Sequence, residues 1–142
     1  MTAIAIVLEV AFLPGRTDTL GAAEIAERLN GARRGIEPVL QALSRAGVLE
    51  SVRGPHGGYR LAKRPRDLKL LDVVRAVVEA PDARGENGSG GRLGTAVVTP
   101  LWNEMDALCD THLAALSVDD LLKRAAAKGL KRPSGQPLDF SI

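Results

Sequence analysis

Apolar and polar positions recur along this chain with spacings that predict six helices and one β-hairpin. The first helix is an apolar stretch over 3–13, closed by Pro14-Gly15. The second has an apolar face over 22–29 and ends at Asn30-Gly31, because both of these residues tolerate positive φ. The third has the i, i+3, i+4, i+7 spacing of a buried helical stripe, formed by Ile36, Val39, Leu40 and Leu43.

A tight Asn-Gly turn between two short helices, the second with a polar and basic free face, is typical of a helix-turn-helix. Directly after it, residues 48–53 and 59–61 alternate apolar and polar positions around the tip Gly54-Pro55-His56-Gly57-Gly58, which predicts a hairpin. A hairpin in this place is a wing, which typically reaches phosphates or a minor groove, and glycine lets its backbone approach DNA closely. The predicted fold class is mainly α with a small β-hairpin wing.

Beyond the wing, residues 68–80 have the pattern of an amphipathic helix, and the glycine-rich segment 81–99 predicts a mobile loop. Thr99-Pro100 is typical of a helix start, with an N-cap followed by proline at the first helical position. The helix over 100–116 spreads apolar residues over more than one face. We therefore expect it to need one partner in its own chain and another in a second subunit.

A capping box formed by Ser117 and Asp120 predicts a last helix over 118–128. These elements divide the chain into four parts. They are a winged helix-turn-helix domain at 1–80, a glycine-rich loop at 81–99, a long dimerisation helix and a short C-terminal helix at 100–130, and an irregular tail at 131–142.

Charge is concentrated in one part of the chain. The net charge is +2, yet residues 28–70 contain ten basic and three acidic side chains. Such a basic block indicates either a phosphate-binding surface or a solvated face, and the run Lys63-Arg64-Pro65-Arg66 is open to both interpretations. Aromatic residues make up only 3%, which excludes a stacking platform for single strands and leaves double-stranded DNA as the expected partner.

The remaining chemistry of the sequence is sparse. One cysteine excludes a disulfide within the chain and any zinc or iron-sulfur site that needs several cysteines from one chain. No combination of nucleophile and base and no phosphate-cradling motif is visible, so we do not expect an enzyme. No apolar run is long enough to span a membrane, and residues 3–13 lack the features of a signal peptide, so we expect a cytoplasmic protein.

Several segments follow one another in the order of a known family, and the most specific is the wing sequence SVRGPHGGYRL at 51–61. The others are EIAERL at 24–29, LQAL at 40–43, AGVL at 46–49, LLDVVRAV at 70–77 and LW at 101–102. Through these segments, over residues 3–125, the chain resembles the Rrf-type bacterial winged-helix transcription regulators, the family of IscR, NsrR and CymR.

The resemblance implies a cytoplasmic homodimer that pairs its long helices, binds a near-palindromic operator and usually represses transcription. Arg34 and Glu37 would face bases, although Glu37 could equally keep the helix soluble, and Arg53 would contact the DNA backbone or minor groove. His56 stands where the family normally has glycine. With two arginines added for charge and position, the candidate DNA-binding residues are Arg33, Arg34, Glu37, Arg53, His56 and Arg60. The candidate dimer contacts are Leu101, Met105, Leu108 and His112.

The sequence departs from the family in two places. Iron-sulfur sensors of the family use three cysteines in the loop before the long helix, and residues 82–99 contain none, so no cofactor is carried over. The recognition helix has Gly31, Ala32, Gly35 and Pro38 at positions where the family usually has other residues. Pro38 predicts that the helix begins near it or has a distorted first turn. The alternative function is a winged-helix protein-protein interaction module that has lost specific DNA reading.

Two residues of the long helix allow more than one interpretation. Cys109 is a candidate thiol sensor, one half of an intersubunit disulfide, or a small packed apolar residue. A Cys-His metal site with His112, shared between two subunits, is a further reading that we do not adopt, and we predict no metal site. Trp102 is either a packing anchor between the long helix and the winged domain or part of a ligand pocket. A regulatory signal would be a small molecule, a thiol modification at Cys109 or a partner protein.

Overall fold

The computed structural model describes residues 1–13, 18–31, 33–79 and 91–130, with the side chain of Arg33 outside this description. The elements in chain order are α1 Thr2–Ala11, α2 Ala22–Arg28, α3 Arg33–Arg45, β1 Leu49–Val52, β2 Gly58–Leu61, a 3-10 turn Pro65–Asp67, α4 Leu70–Val78, α5 Gly91–Leu93, a π-helix Gly94–Val98, α6 Thr99–Ala115 and α7 Val118–Ala127. Helices with one small hairpin confirm the predicted fold class. The predicted turn at Pro14-Gly15 and the predicted tail at 131–142 lie outside the described residues.

Helix α1 lies at the centre of the hydrophobic core. Its apolar residues recur at helical spacing, so Ile6 and Val7 are fully buried, and it packs against α2, α3, α4, α7 and β2. Helix α7 contributes Val118 and Leu122 to the same core, so the C-terminal helix folds back onto the winged-helix region. None of the described helices is long and apolar enough to cross a membrane.

The helix-turn-helix has the turn that the sequence predicts. Asn30 adopts a φ of 52°, and the Gly31 N–H donates to the Ala26 carbonyl at 2.9 Å, which ends α2. Helix α3 then runs without interruption through Pro38, so the predicted start near Pro38 is wrong. Pro38 has no N–H to donate to the Arg34 carbonyl, and both residues are exposed. A distorted first turn of α3 stays a prediction.

The wing is an antiparallel hairpin in which Leu49 lies opposite Leu61 and Val52 opposite Gly58. A third piece of backbone extends it, because Leu20 and Tyr59 exchange two hydrogen bonds of 2.9 Å. Through this bridge, the segment before α2 becomes an edge of the wing. The tip end of β2 is thereby joined to the start of the helix-turn-helix.

The predicted loop at 81–99 is wrong over 91–98, which are helical and continuous with α6. The α-helix begins at Thr99-Pro100 as predicted, but Thr99 is not its N-cap, because Thr99 already has helical φ and ψ of −60° and −47° and continues the π-helix before it. Proline within a helix removes one N–H and crowds the carbonyl four residues earlier. The carbonyl four residues before Pro100 lies within the π-helix over 94–98, and the wider turn there makes room for the proline ring. Residues 81–90 of the predicted loop lie outside the described residues.

Helix α6 is attached to the winged-helix region at two places. In its middle, the Arg75 guanidinium of α4 lies 3.3 Å from the Asp110 carboxylate. At its C-terminal end, residues 68–70 and 116–118 pair through two backbone hydrogen bonds of 2.9 Å. These contacts fix the direction in which α6 leaves the domain.

The capping box at the start of α7 is confirmed. The Asp120 N–H donates to Ser117 Oγ at 3.2 Å, and the Ser117 N–H donates to the Asp120 carboxylate at 2.9 Å. Hydrogen bonds from the Ser117 backbone and hydroxyl hold the pKa of Asp120 below its usual value. Gly129, with a φ of 81°, follows the end of the helix.

Candidate nucleic-acid interface

Helix α3 presents a polar face opposite its buried stripe. Ile36 and Leu40 are buried, while Arg34 and Glu37 are exposed and lie on one side of the helix because they are three residues apart. Arg33 is the first residue of α3, and its side chain lies outside the described part of the chain. A guanidinium and a carboxylate are the groups that pair with guanine and cytosine edges in a major groove.

The tip of the wing is a tight turn with little room for side chains. The Gly57 N–H donates to the Gly54 carbonyl at 2.9 Å, and a Cβ at Gly57 would lie 2.5 Å from the Val52 carbonyl oxygen. Arg53 directly precedes the turn, His56 lies within it, and both are exposed. Arg53 makes no ion pair or side-chain hydrogen bond with the described residues, so its guanidinium is available to a phosphate.

Arg60 has a partner within the hairpin. Its Nε lies 2.9 Å from the Glu50 carboxylate, directly across the two strands. The hydrogen bond and the charge of Arg60 lower the pKa of Glu50. A DNA contact by Arg60 stays a prediction, and the structure gives this arginine a second role in pairing the strands.

The basic block of 28–70 is largely solvent-facing. Arg28 pairs with Glu9 at 3.3 Å and so links α2 to α1. The other exposed cations of the block lie on α3, on the wing and on the segment after the wing: Arg34, Arg45, Arg53, Lys63, Arg64, Arg66 and Lys69. This distribution gives the helix-turn-helix and the wing a positive surface.

Helix α6 exposes a continuous apolar face. Its four large apolar side chains have high exposed fractions: Leu101 53%, Trp102 58%, Met105 43% and Leu108 73%. Cys109 and His112 are also exposed and fall on the same side by helical spacing. At the edge of this face and nearer the C-terminal end of the helix, Leu113 packs against the core. The candidate dimer contacts therefore form one surface that the described part of this chain does not cover.

Two predictions for α6 are wrong for the single chain. Trp102 does not anchor α6 to the winged domain, because more than half of its surface is exposed. Cys109 is not packed, because it too is exposed. The apolar sequence suggested burial for both residues, but the contacts of α6 with its own domain that the structure describes are in its C-terminal half, at Asp110 and Leu113.

Comparison with known proteins decides the family. The model of the family described as "Rrf2: Iron-dependent Transcriptional regulator" matches residues 1–124. The chain belongs to the Rrf2 family. An HTH-type transcriptional regulator IscR from Aliivibrio salmonicida is 33% identical over 124 residues, covering 84% of this chain and 72% of the relative. Protein rrf2 from Nitratidesulfovibrio vulgaris is 30% identical over 106 residues, covering 72% and 71%.

Solved structures of Rrf2 regulators share the fold. T. potens IscR superposes with a TM-score of 0.66 at 27% identity, covering 87% of this chain and 82% of the other. CymR, the global cysteine regulator of B. subtilis, gives 0.63 at 24% identity, covering 86% and 91%, and supports the fold alone. The protein is thus a winged-helix, DNA-binding transcriptional regulator and not an enzyme.

The iron in the description of the Rrf2 family finds no matching ligand set here. Iron-sulfur clusters are held by several cysteine thiolates, and the sequence has Cys109 alone. Within the described ranges, no group of three or more His, Cys, Asp or Glu side chains is placed to hold a metal ion. The residues of one chain therefore do not fit a cluster bound by three of its own cysteines.

Two residues that hydrogen-bond to wing residues were not predicted from the sequence. Glu50, which holds Arg60, could have been found from the hairpin register, because opposite charges facing each other across strands stabilise a pair. Thr19 donates its hydroxyl to the His56 carbonyl at 2.6 Å. No local pattern indicates this contact, because it joins residues 37 positions apart.

Proposed function

We propose that this Rrf2 protein binds an inverted-repeat operator as a homodimer and represses transcription there. The observation that carries the dimer is the exposed apolar face of α6. Burying a large apolar side chain contributes about 1.5–3 kcal/mol, and a contiguous exposed apolar patch marks an interaction site. A second copy of the same face is the simplest self-complementary cover, because homodimers pair identical patches about a two-fold axis.

In this proposal, each protomer places α3 in a major groove and its wing on the adjacent backbone or minor groove. Arg34 and Glu37 face base edges, and Arg33 supports them from the start of the helix. Arg53 and His56 contact DNA from the wing. Arg60 does so while its Nε stays with Glu50. The exposed cations around these residues supply the salt-dependent part of the affinity.

We infer that the regulator works in the cytoplasm and without an iron-sulfur cluster of its own. Its single cysteine supports the second statement. Cys109 lies exposed on α6 and remains the candidate thiol sensor, beside a small molecule or a partner protein as the source of a signal.

Selection of genomic DNA fragments by the purified full chain tests operator binding. We expect the selected fragments to share an inverted repeat and to bind at least roughly 10³-fold more tightly than random duplex at about 150 mM salt. A ratio near one at every salt concentration would overturn specific reading and favour the interaction module instead.

Repression is tested by placing the selected operator across a promoter that drives a reporter gene. We expect reporter output to fall when the protein is present and to return when the operator is scrambled. A rise in output that depends on the operator would make the protein an activator.

A further inference from the structure

The tip of the wing is tied to the segment that precedes α2. The hydroxyl of Thr19 donates to the backbone carbonyl of His56 at 2.6 Å. Next to it, Leu20 and Tyr59 exchange two backbone hydrogen bonds. The approach is so close that a Cβ at Gly58 would lie 2.7 Å from the Leu20 carbonyl. The bridge holds β2 at Tyr59, next to the tip, and the Thr19 hydroxyl bonds to the turn itself.

The tip needs this contact more than the strands do. Residues 54–58 contain three glycines and lie outside the strand ladder except at Gly58. Within the tip, the turn hydrogen bond from Gly57 to Gly54 is local and leaves the turn free to move as a unit. Thr19 is half-buried and His56 is exposed, so this bond is open to solvent and contributes the net free energy of one ordinary hydrogen bond.

We infer that Thr19 is a positioning residue for DNA binding. Its hydroxyl holds the backbone at His56 and so fixes the two wing side chains, Arg53 and His56, in the orientation that meets DNA. A wing fixed before binding loses less conformational entropy when DNA immobilises it. The inference rests on the proposed function, because it requires the wing to contact DNA.

The test compares Thr19→Val with Thr19→Ser in the full chain. Valine keeps the branched shape and removes the donor, whereas serine keeps the donor. We expect Thr19→Val to weaken binding to duplex DNA by roughly 2- to 12-fold, the range for one net hydrogen bond, and Thr19→Ser to bind within about 2-fold of the wild type. Circular dichroism at the binding temperature verifies that both variants are folded.

A second background separates positioning from a general structural effect. With Arg53→Ala and His56→Ala already present, the two side chains that Thr19 orients are gone, so adding Thr19→Val should change affinity by less than about 2-fold. Equal losses in both backgrounds, or no loss in the wild type, would overturn the inference. Both comparisons can be made with any duplex that the wild type binds. A wild type that binds DNA without preferring the operator would therefore overturn only the proposed operator binding. A wild type that binds no duplex overturns both.

Discussion

Gly58 lies where two stretches of backbone come closest together. A Cβ there would lie 2.7 Å from the Leu20 carbonyl and 2.9 Å from the Gly21 nitrogen, and neither is the end of a flexible side chain. Gly35 is the opposite case, since a Cβ at this exposed helical position would meet nothing within 4 Å. The same residue type therefore has different roles at the two positions.

Gly58→Ala is expected to lower the free energy of unfolding by about 1–3 kcal/mol, because backbone must move to admit the methyl group. Urea denaturation measures the change. The matched control, Gly35→Ala, should be neutral or stabilising by up to about 1 kcal/mol, because alanine favours the helix. Equal stability of Gly58→Ala and the wild type would show that the wing can shift away from the segment before α2.

Arg53→Ala is expected to weaken binding to all duplex sequences by similar factors, because a wing arginine on phosphate carries no base information. Each lost phosphate contact should reduce the slope of log affinity against log salt by about one, hence by about two in a dimer. Titrations at several salt concentrations measure both effects. Arg124→Ala removes the same charge from an exposed position on α7 and serves as the control. Matching slopes for the two variants would remove Arg53 from the interface.

At the scale of elements, short sequence motifs predict the helix ends that are stabilised by hydrogen bonds between neighbouring residues. Asn30-Gly31 and Ser117 with Asp120 act through their own backbone and side-chain hydrogen bonds, so the sequence alone indicates them. Thr99-Pro100 has an equally good start signal, yet the helical path continues across it. The choice between a new helix and a π-turn depends on how residues 91–98 lie relative to the rest of α6, and no short motif encodes that.

The sequence pattern likewise predicts some features of the candidate site and not others. The exposure of Arg34, Arg53 and the apolar face of α6 agrees with the sequence pattern, because periodicity separates buried from exposed positions. The exposure of Trp102 does not follow from it, because apolar character alone cannot tell a face that packs within the chain from one that awaits another molecule.

Ser117→Ala is expected to lower the free energy of unfolding by about 1 kcal/mol at pH 7 through the loss of a helix cap. The pKa of Asp120 is lowered in the folded state, mainly by hydrogen bonds from Ser117, so its stabilising contribution is present above the unfolded value of 3.8 and is lost as pH falls below it. The variant should therefore lose less stability on acidification.

Urea denaturation at pH 7 and about pH 3 tests this expectation. Ser51→Ala, at an exposed position of the wing, is the control and should keep the acid response of the wild type. If Ser117→Ala loses as much stability on acidification as the wild type, the Ser117 hydroxyl is not a source of the Asp120 contribution, which then comes from the Ser117 N–H that alanine keeps.

At the scale of the whole molecule, the proposed dimer depends on one face of α6. Leu108→Glu is expected to weaken self-association by at least roughly 100-fold, because an unpaired carboxylate would have to be buried between two apolar faces. Sedimentation at micromolar concentration should give the variant the 15.0 kDa of one chain and the wild type twice that mass. Ala107→Glu adds the same charge at an exposed position on another side of α6 and should remain a dimer. A wild type that sediments as a single chain would contradict the pairing.

The paired segments at 68–70 and 116–118, together with the Arg75–Asp110 contact, join α6 to its own winged domain at two separated places. Attachment at two separated places resists rotation of α6 relative to the winged domain. Two protomers paired through α6 would therefore hold their two winged domains at a fixed distance and a fixed angle about the DNA axis. One extra base pair at the centre of an operator turns one half-site by about 34° relative to the other. A dimer of this kind would not bind sites that contain both correct half-sites at the wrong spacing. The geometry of α6 would then help to determine which DNA sites the protein binds.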